Sequence, residues 1–517
     1  PVEALPPIKK VEVGARQEFR VNGQPFIPIM IWLQPAENFE IAKQCGINTV
    51  AGYWPGSSGT KNVVEYVSLV EKAGLYAVVP FDPQLRGNDH VLGYIHGDEP
   101  DLPHQESDAQ ITPAENLRLN TKAPLWKLLD GVETSWSVLD PLAGARVTIR
   151  PAKPAEIVEV GVSLTISSGL SVAREIVWSS AGRELVRQSL LPKKGLQTVR
   201  LPEPVRIEQL TFEIVRVDEG SNVWGSLGEV VAKNEAGVNV LESPPYRVPR
   251  TPPEKVQEAF RRIKRADPSR PVFVTFTGYF HPHFDKWDGA QRSSLYPAYV
   301  RAADVVGYDI YPIYGWNKPE WIELVYEATG MLRDLAAPRP VYAWIETSKG
   351  GQYTGPLDRQ KDVTPRHIRA EVWMALCNGA RAIGYFTHVW QPSYKPFGVP
   401  PENQRALAEI NSQIARLTDA LTARPLVGVV ARPEDDTRVA VSATETSTDW
   451  FVFAVNYDRR DRATTVRFQL PAPLQVDESS TVEVVDESRT LPCRSGRFED
   501  EFQGLEVHIY RIAKPET

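Results

Sequence analysis

The chain has 517 residues, 42% hydrophobic and 24% charged, with a net charge of −7. That length exceeds what a single hydrophobic core fills, so two to four domains are expected. No run approaches the ~20 consecutive apolar residues of a membrane-spanning helix, and no long basic run offers a nucleic-acid footprint. Neutral or weakly charged substrates fit this balance. Three scattered cysteines, Cys45, Cys377 and Cys493, argue against a disulfide framework and a thiolate zinc site. The opening "PVEALPPIKK" has neither Met nor an apolar signal core, as in a trimmed or processed chain.

From Pro25 the pattern is regular. "PFIPIMIWL" predicts a strand, "PAENFEIAKQCG" a helix, "INTVAGY" a strand and "KNVVEYVSLVEKAG" a second helix. "LYAVVPFD" and "VLGYIHGDE" are the third and fourth strands. Continuous apolar strands alternating with amphipathic helices imply a parallel sheet covered on both faces. The rhythm breaks near Pro100. From about Thr121 to Val240 come short segments rich in Val, Ile and Thr with turns such as "PKKGLQ", the pattern of an antiparallel β-sandwich. It resumes at "TPPEKVQEAFRRIKRADP", and "PVFVTFTGYF", "ADVVGYDIYPIY", "RPVYAWIET" and "ARAIGYFTHVW" supply four more strands. Beyond Leu426 the chain is all-β again.

Eight β/α units interrupted after the fourth strand predict an α/β fold: a (β/α)8 barrel, built from residues 1–120 and 241–424, with an inserted β-sandwich at 121–240 and a C-terminal β-sandwich at 425–517. Active sites of such barrels lie at the C-terminal strand ends. The acids there are Asp82, Asp98, Glu99, Asp309 and Glu346. Glu346 closes the apolar strand "PVYAWIET" on the same face as Trp344, and a carboxylate so placed needs solvent, a partner or a ligand. Two carboxylates about 5–5.5 Å apart suit retaining glycoside hydrolysis, one attacking the anomeric carbon and the other protonating the leaving oxygen.

Acids after strands four and seven of an eightfold barrel resemble the clan A glycoside hydrolases, a likeness that "VNGQPFIPIMIW" and "GYFTHVW" extend. The resemblance implies Glu99 as acid/base, Glu346 as nucleophile, Trp390 as aromatic platform, and Tyr311 or Tyr314 as the tyrosine bonded to the nucleophile. Asp98 stands where that clan has Asn, and the arginine usual after strand two is missing from "NTVAGYWP". An Asp-Glu pair also occurs in hexosaminidases that use the substrate's acetamido group as nucleophile; Asp98 would then hold its N–H and Glu346 would be secondary. "WKLLDGVETSW" with "SNVWGSLGEVVA" resembles the discoidin (factor 5/8 type C) sandwich, and "FAVNYD" the C-terminal sandwich of many glycosidases.

Trp32, Trp54 and Trp390 fall near strand ends, where aromatic faces suit a sugar; His281 and His388 are further substrate-contacting candidates. The histidines near "HGDEPDLPH" lack metal-ligand spacing, so neither metal nor cofactor is expected. The expected activity is hydrolysis of a β-linked oligo- or polysaccharide by double displacement. The substrate-assisted route and a noncatalytic glycan-binding barrel are the alternatives. A secreted or periplasmic location is expected from the accessory sandwiches.

Overall fold

The computed structural model describes residues 5–132, 134–471 and 481–515. They form two compact units, Pro1–Leu102 with Pro249–Thr517, and Pro103–Val248.

In the first unit eight strands close into a barrel, each parallel to its neighbours: β1 (Ile29–Trp32), β2 (Thr49–Ala51), β3 (Tyr76–Val79), β4 (Val91–Ile95), β5 (Val272–Thr277), β6 (Val305–Asp309), β7 (Val341–Glu346) and β8 (Ala380–Phe386). Every residue of β1 to β5 is buried, because side chains fill the inside and helices cover the outside. Those helices are α1 (Phe39–Gln44), α2 (Val63–Lys72), α3 (Pro253–Ala266), α4 (Gly289–Val300), α5 (Glu323–Ala336), α6 (Pro365–Cys377) and α7 (Pro401–Arg416). In α2 the buried residues Val63, Tyr66, Val67 and Val70 make one helical stripe, and the Asn62 side chain caps the Glu65 amide. Capping boxes start α4 (Asp288 with Gln291) and α6 (Thr364 with His367).

Eight complete β/α units were expected, but the third crossover has no α-helix. "PFDPQLRGNDH" between β3 and β4 holds only a 3-10 turn, Pro83–Leu85, since two prolines and a glycine leave no run for a helix.

Aromatic rings pack the barrel centre. Gly93, Gly307 and Gly384 make room for them, since a Cβ there would come within 2.5, 2.1 and 2.2 Å of the Phe273, Tyr342 and Trp344 rings. A three-stranded ribbon (Val11–Val13, Phe19–Val21, Gln24–Phe26) adds Phe19, which stacks on Phe273 at 6.0 Å and joins the barrel's inner cluster. Phe19 thereby plugs the N-terminal end of the barrel interior, and the C-terminal rim is where barrels of this kind carry their sites. After α7 the chain forms a six-stranded and a three-stranded antiparallel sheet. Trp373 of α6 stacks on Phe453 of the first at 5.7 Å.

The second unit is a sandwich of a four-stranded and a five-stranded antiparallel sheet, with Val147, Val160, Trp178 and Phe212 in its core. It is wider than the span 121–240 read from composition. Gln110–Pro113 already pairs with Arg146–Arg150 as an edge strand, and its exposed polar alternation gives no apolar signal.

Candidate active site

The end of β4 is shaped by Asp101. Its buried carboxylate accepts from the Thr277 amide (2.9 Å), the Thr277 hydroxyl (2.6 Å) and the Tyr296 phenol (2.7 Å). Burial pushes it up to about 6 against those three bonds. The "DEPD" turn is thus pinned to β5 and α4, and Leu102 N donates to Glu99 O at 3.1 Å. Glu99 sits in the left-handed region at φ 45°, which costs a non-glycine residue roughly 1 kcal/mol. Such strain is retained where it aims a side chain.

What it aims is a carboxylate into the barrel mouth. Asp98 reaches solvent at the rim of the mouth while protein atoms crowd round it, and Glu99 is half-buried. That crowding, then the Glu99 charge, push Asp98 up to about 7, with Arg250 opposing. Arg250 donates to Asp98 O at 3.0 Å and lies 3.8 Å from the Glu99 carboxylate. Asp309, the last residue of β6, lies beside the Glu99 carboxyl. Burial first, and then the charges of Glu99 and Asp98, raise the Asp309 carboxyl well above its ordinary range. Its carboxyl is the one of the three that holds a proton most readily. Burial, with Asp309, Asp98 and Glu99, raises Tyr311; burial, with Glu99 and Asp309, raises Tyr279. Both phenols remain hydrogen-bond donors beside three carboxyls.

The opposite side of the mouth is aromatic. Phe386 lies parallel to Trp390 at 6.1 Å and against Tyr311 at 5.1 Å. Tyr394 stacks on Trp54 at 6.4 Å and meets Trp390 at 5.3 Å. His388 is fixed among them. Nε2 donates to Trp32 O (3.1 Å), so Nδ1 accepts from the Tyr394 phenol (2.9 Å); burial keeps the ring neutral.

Of the pair expected from sequence, Glu99 lies in the cluster with Asp98 and Asp309. Glu346 is fully buried. Its Oε1 accepts from Ile313 N (3.0 Å), and its Oε2 from Ile313 N (3.1 Å) and Tyr314 N (2.6 Å). Burial raises it to about 7, while Glu371 of α6 and those two amides pull it back. Tyr314 thus meets Glu346 through its amide, and its ring stands edge-on to Tyr311 at 6.0 Å. Trp32, 9% exposed, packs edge-on against Trp344 at 5.3 Å as a wall residue.

His281 also lies away from the mouth. After β5 the 3-10 turn Gly278–Phe280 carries the chain to α5, where His281 Nε2 lies 3.7 Å from Glu327 and Nδ1 accepts from His283 N. The histidines flanking "DEPD" do not converge: His96 donates to Ala302 O at 2.8 Å, and His104 contacts Glu106 at 3.1 Å.

Three residues at the mouth stood outside the expected site. Asp309 carried the same signal as Glu346, an acid ending an apolar strand. Tyr279 follows β5. Arg250 gave no signal, since it meets Asp98 from 152 positions away.

No family model and no curated protein matches the sequence. Among solved structures, an Anoxybacillus alpha-amylase is 11% identical, with 52% of this chain on 57% of that one and a TM-score of 0.35. The alpha-amylase of Geobacillus thermoleovorans, complexed with acarbose, is 13% identical over 52% and 58%, again at 0.35. This chain thus spans less than two thirds of either amylase. A family 32 carbohydrate-binding module of C. perfringens NanJ, in complex with galactose, aligns over 97% of its length with 25% of this chain, at 9% identity and a TM-score of 0.21. Likenesses this partial say nothing of chemistry.

Proposed function

We propose that the protein is a glycoside hydrolase whose acid chemistry belongs to Asp98, Glu99 and Asp309. The observation that carries this is the convergence of three carboxyls, one of them raised well above its ordinary range beside Glu99, opposite a wall of stacked rings. Protonation of a glycosidic oxygen needs a carboxyl that stays neutral near working pH, and the proton held by Asp309 beside Glu99 meets that need. Trp390, Tyr394 and Trp54 offer apolar faces to the C–H side of a sugar ring.

With Glu346 enclosed, the best-supported route is substrate-assisted. Asp309 passes its proton to Glu99, and Glu99 delivers it to the leaving oxygen as the carbonyl oxygen of a 2-acetamido group closes on the anomeric carbon. Ionised Asp98 accepts that group's N–H. Glu99, now a carboxylate, takes a proton from the water that opens the ring intermediate, which restores both partners. Tyr311 and Tyr279 supply phenolic donors to the same space.

The test is hydrolysis of aryl β-glycosides (galactoside, glucoside, mannoside, fucoside, arabinoside and N-acetylglucosaminide) by the wild type, Glu99→Gln and Asp309→Asn. Turnover of the N-acetylglucosaminide with losses of about 10²–10⁴ in both variants is expected. Turnover only of sugars lacking the acetamido group would overturn the substrate-assisted route. Glycan binding with no turnover of any linkage would make the barrel a binding protein.

A further inference from the structure

We propose that Glu346 is a positioning residue: it staples the loop after β6 so that Tyr311 stands at the Asp98–Glu99–Asp309 cluster, and Glu371 supplies the proton that makes this staple tolerable. The proposal rests on the assignment of that cluster as the reactive site.

The loop between β6 and α5 starts with Ile310 and carries Tyr311, Ile313 and Tyr314. Both amides that bind Glu346 belong to it. Tyr311 reaches the carboxyls on one side and Phe386 on the other, so its placement depends on a turn whose inner donors end on one side chain. A second tie, from the Thr354 hydroxyl to Tyr314 O (2.5 Å), fastens the same turn to the loop after β7. The Gly350 and Gly351 amides anchor that second loop on the Gln360 side chain at 2.9 and 3.1 Å.

Glu371 is otherwise unexplained. It lies among buried Ile368, Val372, Trp373 and Ala375 on α6. It is itself fully buried, and among the described residues neither of its oxygens meets a side-chain or main-chain donor that satisfies hydrogen-bond geometry. The polar group beside it is Glu346, whose carboxylate is another acceptor and whose main-chain amide lies near but outside hydrogen-bond geometry. Two ionised carboxylates enclosed together are excluded by mutual repulsion and lost hydration. A proton held by Glu371 and donated to Glu346 removes both penalties. It leaves Glu346 free to accept from the loop amides with its remaining lone pairs.

The deciding variants are Glu346→Ala and Glu346→Gln, each followed by amide hydrogen exchange of residues 310–316 and by kinetics. A glutamine carbonyl accepts both amides and its NH2 faces Glu371, so Glu346→Gln should exchange as slowly as wild type and keep kcat within about fivefold. Glu346→Ala should exchange at least about tenfold faster and lose about 10²-fold in kcat from misplacement of Tyr311, with little change in KM. Should the alanine variant fail to fold, Glu346→Asp decides: it keeps the charge but falls one methylene short, and fast exchange is expected.

Unchanged exchange in the alanine or aspartate variant would overturn the staple. Slow exchange in an inactive Glu346→Gln would overturn it in favour of a chemical role. If wild type hydrolyses nothing, the functional assignment fails, and the exchange comparison still decides the staple.

Discussion

Replacing Glu371 by Gln should stabilise the protein, and by an amount that grows with pH. Glu371 is fully buried and held neutral by burial first and by Glu346 second, well above the 4.5 of an exposed glutamate. In the unfolded chain it ionises from about pH 4.5 upward. Over that span the folded state holds the extra proton, so wild-type stability falls as pH rises, by about 1.4 kcal/mol per pH unit for this one group. Gln has nearly the shape of the neutral acid, donates to Glu346 as the acid does, and does not titrate. Near pH 4.5 the two proteins should match. At pH 7 the variant should be ahead, by about 1.4 kcal/mol for each pH unit over which the folded acid stays neutral, which a higher melting temperature shows. Scanning calorimetry at pH 5 and pH 7 reads this, with the barrel transition scored by itself because a chain of two units need not unfold in one step. A Glu371→Gln protein no more stable than wild type at pH 7 would refute the shared proton, because Glu371 would then be ionised and paired with something else.

Three further outcomes follow from the geometry. Asp101→Ala orphans the Thr277 amide, the Thr277 hydroxyl and the Tyr296 phenol at once; it should cost about 3 kcal/mol or more in urea unfolding and lower turnover by loosening the "DEPD" turn. Gly384→Ala puts a methyl within 2.2 Å of the Trp344 ring and should destabilise the barrel by about 1–3 kcal/mol, seen as a lower melting temperature. Because Asp98 is pushed up to about 7 and acts ionised, kcat should rise as pH climbs through about 7. That limb should vanish from the pH profile of Asp98→Asn, with only weak activity left at every pH.

The barrel was legible because its signals are local. Continuous apolar strands and helical stripes such as Val63, Tyr66, Val67 and Val70 repeat within a few residues, and "DEPD" announces a turn full of acid. Sequence spacing also put Glu346 on the Trp344 face of β7, and from that alone the mouth was a fair inference. Its enclosure depends on two amides about thirty positions upstream, in the loop after β6, and on Glu371, twenty-five positions on in a helix whose other buried residues are apolar. Nothing in the strand period carries that information. Asp309 and Glu346 looked alike as strand-ending acids, and only their three-dimensional neighbours separate them: Glu99 and Asp98 beside one, two loop amides and Glu371 around the other. Arg250 was invisible for a related reason, since the intervening unit Pro103–Val248 separates it in sequence from the turn it touches. The edge strand Gln110–Pro113 and the missing third helix were misread at boundaries, where polar or proline-rich residues weaken any period.

The most direct test of the assignment is titration with N-acetylglucosamine thiazoline, a stable mimic of the ring intermediate that an acetamido nucleophile forms. Wild type should bind it far more tightly than N-acetylglucosamine, and Asp98→Asn should lose that preference while Glu346→Gln keeps it. Failure of wild type to bind the thiazoline, together with covalent labelling of a carboxylate by an activated 2-fluoro glycoside, would contradict the account and restore double displacement.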